Sequence, residues 1–154
     1  MSHLSRVQRS IWKDSGTTGG RLTCERVSSR NQRPLVRDWL RSTDPDLLWA
    51  SVVSFGEIRK GIERLAAGQR RAELEEWVAR ELDQWFEERL LPVTKAVAER
   101  WGVLSARALD KGTPLPNNDG LIAATAIEHD LTLVTRNVRD FVGLEVTIVN
   151  PWEA

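Results

Sequence analysis

Pro116-Asn-Asn-Asp-Gly-Leu-Ile-Ala-Ala-Thr-Ala126, with Leu131-Thr-Leu-Val-Thr-Arg-Asn137 just beyond it, is the stretch on which the fold turns. An Asn directly after Pro116 can cap free backbone amides, so a helix is expected to begin at Asn117 or Asn118. Leu121, Ile122, Ala123, Ala124 and Ala126 then run almost without polar relief, and a helix that is apolar on nearly all sides is a buried one. Asp119 falls in its first turn, where the helix dipole favours a carboxylate. Leu131 to Thr135 is short, apolar and β-branched, as a buried parallel strand is, and it ends in polar Thr135-Arg136-Asn137. Helix start and strand end can therefore meet at one point.

Working outward, Leu47 to Ala50 reads as a short strand and Ser51 or Ser54 as the cap of a helix reaching Leu65, with Phe55, Ile58, Ile62 and Leu65 as its buried stripe. Glu57 lies beside that stripe, read as first-turn, and Gly61 leaves room above the carboxylate. A charged amphipathic helix follows from Arg70 to Leu90. Leu91-Pro-Val93 suits a brief edge strand, and Thr94 caps a helix whose face is Val97, Trp101, Leu104 and Ala108, stopped by Gly112 and Pro114. The loop 136–143 and a last strand, Val146 to Val149, finish the chain. Helices alternating with short apolar strands predict an α/β domain with a parallel sheet. Upstream, Leu35, Val36, Trp39 and Leu40 keep helical spacing from Pro34 on, whereas residues 1–33 are rich in Ser, Thr, Gly and Arg without a period and read as irregular or disordered. The organisation expected is thus an atypical segment 1–33 and a domain 34–154.

At 154 residues the chain is long enough for one well-filled core, and 22 Lys plus Arg against 22 Asp plus Glu leave no global basic field. Any nucleic-acid contact has to be local. One cysteine, Cys24, permits no intramolecular disulfide and suits a reducing cytoplasm. No apolar run approaches the roughly 20 residues that span a bilayer, nor the core of a signal peptide. A soluble cytoplasmic protein, without membrane contact, is the expectation.

Taken singly, the acids have ordinary explanations. Ser54-x-x-Glu57 has the spacing of a capping box, and Asp119 can simply compensate a helix dipole. Thr135 and Asn137 can merely close a strand, and Asp140 open a turn. Taken together they suggest more, because ligand sites in parallel sheets form outside the carboxyl ends of the strands. Glu57, Asp119, Asn137 and Asp140 can converge there, and clustered carboxylates call for a cation. Mg²⁺ or Mn²⁺ takes oxygen ligands, keeps waters and accepts phosphates.

Four runs carry a family resemblance: Ser51-Val-Val-Ser-Phe-Gly-Glu-Ile-Arg-Lys-Gly-Ile-Glu-Arg-Leu65, Leu115-Pro-x-x-Asp-Gly-Leu-Ile-Ala-Ala-Thr-Ala126, Leu133-Val-Thr-Arg-Asn-Val-Arg-Asp-Phe141 and Asn150-Pro-Trp152. In order and spacing, from Pro34 onward, they resemble the PIN-domain ribonuclease toxins of the VapC and FitB type. The resemblance implies a PIN-like α/β fold and a Mg²⁺- or Mn²⁺-dependent endoribonuclease. It further implies the toxin half of a type II toxin–antitoxin pair, acting on RNA, homodimeric and held by a cognate antitoxin. By position, Glu57, Asp119 and Asn137 match metal-site residues, Asn137 standing where many relatives carry Asp. Thr135 matches a hydroxyl of the same site and Asp140 an accessory acid. Arg59, Lys60, Arg136 and Arg139 flank it and can meet RNA phosphates.

One departure stands out. The family opens with a strand ending in Asp-Thr-Asn-Val, and residues 1–33 contain no such run, so the first strand is expected to be missing or altered and the site one acid short. Asp14 is the sole aspartate before Pro34, in a setting that does not read as a strand end. Codons for Glu25 to Arg33, read one base later, can encode Asn-Val, two further residues and Glu-Ile-Asn-Ala, the run that follows that Asp-Thr in relatives. A shifted reading frame or a mis-called start is thereby suggested. Two other readings remain: an impaired relative that binds an antitoxin without cleaving RNA, and an unrelated small α/β enzyme.

Overall fold

The computed structural model describes residues 10–12, 42–135 and 137–151. Within them lies one five-stranded sheet: β1 (Ser10–Trp12), β2 (Leu48–Ser51), β3 (Leu90–Leu91), β4 (Thr132–Val134) and β5 (Ile148–Val149). Its order is β3-β2-β1-β4-β5, with every pair parallel. The helices are α1 (Val52–Glu63), α2 (Gln69–Trp77), α3 (Asp83–Trp85), α4 (Lys95–Asp110) and α5 (Asn117–Glu128), a π-helical turn Val78–Leu82 joining α2 to α3. Short 3-10 turns cover Pro45–Leu47 and Val138–Phe141.

The first strand, expected to be missing or altered, is present in altered form. Ser10–Trp12 lies between β2 and β4, with Ile11 opposite Trp49 on one side and Leu133 on the other. Three residues with one aliphatic among them carry no readable period, and only pairing on both sides makes them a strand. The place is filled, in an altered form, and by the segment set apart as irregular. Its neighbours in the sheet, β2 and β4, are thereby paired through it. Asp14, the helical spacing of Leu35 to Leu40, the boundary at Pro34, Arg136 and Trp152 lie outside the described residues.

The remaining elements follow the sequence with small shifts. Leu48 and Ala50 point to one face of β2 and pack with Ile58, Ile62, Leu74, Leu82 and Phe86 of the helices after it. Trp49 points to the other face and packs against the group containing Ile122, Ala123 and Ala126 of α5, as strand alternation requires. Helices thus cover both faces of the sheet. The Oγ1 of Thr94 accepts from the Val97 amide at 3.2 Å and starts α4, and α4 is stopped by Gly112 at φ 71°, a conformation that glycine adopts freely.

α5 is as buried as its composition requires: Ile122, Ala123, Ala124, Thr125 and Ala126 have no exposed surface, and Thr125 Oγ1 donates to the Leu121 carbonyl at 2.7 Å. Its small residues allow α4 to come close. A Cβ at Gly120 would lie 2.8 Å from Trp101 Cδ1 and 3.0 Å from Leu115 Cδ2. Gly120→Ala is therefore expected to lose about 1–2 kcal/mol, as overpacking of up to about 3 kcal/mol outweighs the gain of about 1 kcal/mol in helix propensity. Urea denaturation measures it, and an unchanged or raised midpoint would show that the helices separate at no cost.

Candidate active site at the carboxyl edge of the sheet

The chain builds β2 and β3 on one side of β1, then crosses to build β4 and β5 on the other. Connections therefore diverge between β1 and β4, and this switch point is where open α/β sheets hold ligands, beyond the carboxyl ends of the strands. α5 enters β4 after a short turn closed by Asp130 in the left-handed region at φ 53°, so α5 runs against the strand direction. Its first turn consequently sits at the carboxyl edge. Asp119 is in that turn and only 7% exposed. A carboxylate so buried is costly unless something offsets it, and the amide-rich start of α5 is placed to do so. α5 begins at Asn117, as expected, but its cap position is Pro116 and no side chain caps it.

Glu57 is corrected in position, and with it goes its bland explanation. β2 runs straight into α1, Ser51 is the cap, and its Oγ accepts from the Val53 amide at 3.1 Å. Glu57 is thereby the sixth helical residue and lies in the second turn, while Ser54 is a buried helical residue. The capping box through Ser54 does not form. Glu57 is partly buried with Oε2 sealed from solvent, on a helix that packs against α5.

The loop after β4 is organised around Thr135, which is wholly buried. Its amide donates to the Val149 carbonyl at 3.1 Å and its Oγ1 accepts from the Asn137 amide at 3.1 Å. Asn137 is exposed, and its side-chain amide donates to the Asp140 carboxylate. Phe141, 1% exposed, then plugs into the core with Leu91, Ile122 and Leu133 and pins the 3-10 turn. Its role as an anchor went unread in the sequence, where only its neighbour Asp140 was weighed, as the opening of a turn.

The structure thus ties Thr135, Asn137 and Asp140 into one bonded loop and sets Glu57 and Asp119 on two helices in contact. Among the described residues, no three His, Cys, Asp or Glu side chains are close enough to hold one ion. Among the described residues an ion would draw on the two carboxylates of the packed helices, Glu57 and Asp119. That donor set still fits Mg²⁺ or Mn²⁺, since Mg²⁺ is commonly held by one or two carboxylates plus water and substrate phosphate.

Of the expected phosphate-binding cations, Arg59 is already engaged, 2.5 Å from Glu63 and 3.9 Å from Glu75. Arg71 joins the same cluster, and the bonded Glu75 carboxylate, with Glu63 beside it, holds its guanidinium above the ordinary value. These side chains fasten α1 to α2. Lys60 and Arg139 are exposed, and no helix of the described residues is long and apolar enough to cross a membrane.

A family profile described as the PIN domain matches residues 26–143. The chain belongs to the PIN domain family. Toxin FitB of Neisseria gonorrhoeae is 32% identical over 114 residues, 74% of this chain and 82% of that one. The VapC ribonuclease Y4jK of Sinorhizobium fredii is 30% identical over 118 residues, 77% and 84% of the two chains. The crystal structure of FitAcB from Neisseria gonorrhoeae superposes at a TM-score of 0.79 and 27% identity, covering 94% of this chain and 99% of that one. As a PIN domain the chain has a parallel sheet with helices on both faces.

Proposed function

We propose that this PIN domain is the toxin of a type II toxin–antitoxin pair and hydrolyses RNA phosphodiester bonds with Mg²⁺ or Mn²⁺. The observation that carries the reading is a buried Asp119 in the first turn of α5, with Glu57 on α1, the helix packed against α5. The relatives named as a toxin and a VapC ribonuclease support it.

In this reading Glu57 and Asp119 hold the metal, and Asn137 completes its polar surround. When bound, the ion polarises the phosphate and lowers the pKa of a water for in-line attack. Buried Thr135 fixes the backbone at Asn137 through its Oγ1, and Asp140 holds the Asn137 amide group in place. Asp119, shielded from bulk water, would meet the cation with little solvent screening. A cognate antitoxin, a homodimer and a cytoplasmic setting belong to the same proposal, the first favoured by likeness to the FitAcB structure.

A second reading, an antitoxin binder that no longer cleaves, is favoured by one observation, the absence of a three-acid group among the described residues. Incubation of the chain with mixed single-stranded RNAs separates the two. Cleavage that requires Mn²⁺ or Mg²⁺ and stops with EDTA is expected, whereas a folded protein that leaves RNA intact with either metal would establish the second.

A further inference from the structure

Beside the proposed centre lies a groove of about 350 Å³ between the end of α4, the link into α5 and the loop after β4. Pro116, which opens α5 three residues before Asp119, and Asp140 of the site loop form part of its wall, so the groove adjoins the elements that carry the proposed centre. Arg107, Lys111 and Arg139 also line it.

Their charge state sets this wall apart from the rest of the surface. Among the described residues, Arg59, Arg71, Arg80, Lys95 and Arg100 each make an ion pair with a carboxylate. Lys60, Arg64, Arg89, Arg107, Lys111 and Arg139 make none, and three of these six share the one groove. Arg107 and Lys111 sit at the carboxyl end of α4, where the helix dipole favours cations whether or not a ligand is present. Arg139 has no such reason, since it comes from a separate 3-10 turn and still faces the same space. Of the acids in the wall, Asp140 is already bonded to Asn137, which leaves Glu145 against three cations.

We propose that this groove binds the phosphodiester backbone of single-stranded RNA alongside the centre, with Arg107, Lys111 and Arg139 meeting successive phosphates. The assignment rests on the ribonuclease reading of the neighbouring site. A chain with no net charge gains no long-range pull on RNA, so a local set of unpaired cations has to supply the backbone contacts. No aromatic side chain lines the groove, so it grips phosphates and is indifferent to bases.

The test is fluorescence anisotropy of a labelled mixed-sequence RNA oligonucleotide in EDTA, so that binding is read without cleavage, across a salt series. The double variant Arg107→Ala/Lys111→Ala is compared with Arg64→Ala/Lys95→Ala, which removes the same charge away from the groove and the site. The groove variant is expected to bind about tenfold more weakly at low salt and to flatten the log K against log salt slope by about 1.4, two single-strand phosphate contacts of about 0.7 each. The control pair is expected to keep the slope. Equal slopes for wild type and groove variant, equal losses in both variants, or a wild type that does not bind RNA would each overturn the proposal. So would a groove variant that keeps RNA binding and loses only its co-expressed antitoxin. RNA binding without cleavage would defeat the ribonuclease reading and leave the groove standing; cleavage with an unaffected groove variant would do the reverse.

Discussion

Asp119→Asn is expected to lower RNA cleavage by well over 100-fold while the protein keeps its fold. Partners one shell removed from a metal already cost about 10–100-fold when changed, and Asp119 is assigned to the ion itself. The exchange keeps shape and removes the carboxylate of a residue that is only 7% exposed. Folding loses at most about 1 kcal/mol of interaction with the helix start and regains desolvation cost in return. Rate and melting midpoint measured on the same sample check both halves. A variant that cleaves within a few-fold of wild type would remove Asp119 from the chemistry and reduce it to a helix-end charge. Glu57→Gln is expected to behave alike, because no capping bond remains to explain that carboxylate.

Phe141→Ala is expected to cost about 3–5 kcal/mol, a large share of the about 5–15 kcal/mol that holds a domain of this size together. Phe141 is 1% exposed among Leu91, Ile122 and Leu133, so truncation leaves a cavity between the sheet and α5 that packed neighbours cannot close. Neighbouring Val142, 74% exposed, serves as the control, and Val142→Ala is expected to change stability by less than about 0.5 kcal/mol. Because Phe141 also pins the turn that presents Asn137 and Asp140, Phe141→Leu is expected to retain most of the stability and lose part of the activity. Equal denaturation midpoints for Phe141→Ala and wild type would contradict the packing described.

What could be read from the residues divides along physical lines. α5 was legible because seven of its residues are buried and a continuous apolar run has few other fates, and α4 because Thr94 and Gly112 mark its ends. The edge strand expected at Leu91-Pro-Val93 is found at Leu90–Leu91, on the sheet's edge and ending before Pro92, which cannot donate to a ladder. β1 was not legible: Ser10, Ile11 and Trp12 become a strand only through partners that lie 38 and 122 residues further along, a tertiary decision that local pattern does not carry. Glu57 was misplaced by one turn because Ser51 and Ser54 are both good caps, and it was the direct run of β2 into α1 that chose Ser51. Asp119, Thr135, Asn137 and Asp140 were identified as residues, yet their grouping depends on where α5 and the loop after β4 come to rest. Arg107 and Lys111 gave no signal, since cations in the last turn of a helix are ordinary there.

The central claim, that Glu57 and Asp119 together hold a divalent cation at the sheet edge, is met most directly by titrating the protein with Mn²⁺ and reading the free ion by electron paramagnetic resonance. One tightly held Mn²⁺ per chain, displaced by excess Mg²⁺ and lost in both Asp119→Asn and Glu57→Gln, is the result predicted. Wild type and both variants leaving the same amount of Mn²⁺ free would contradict it.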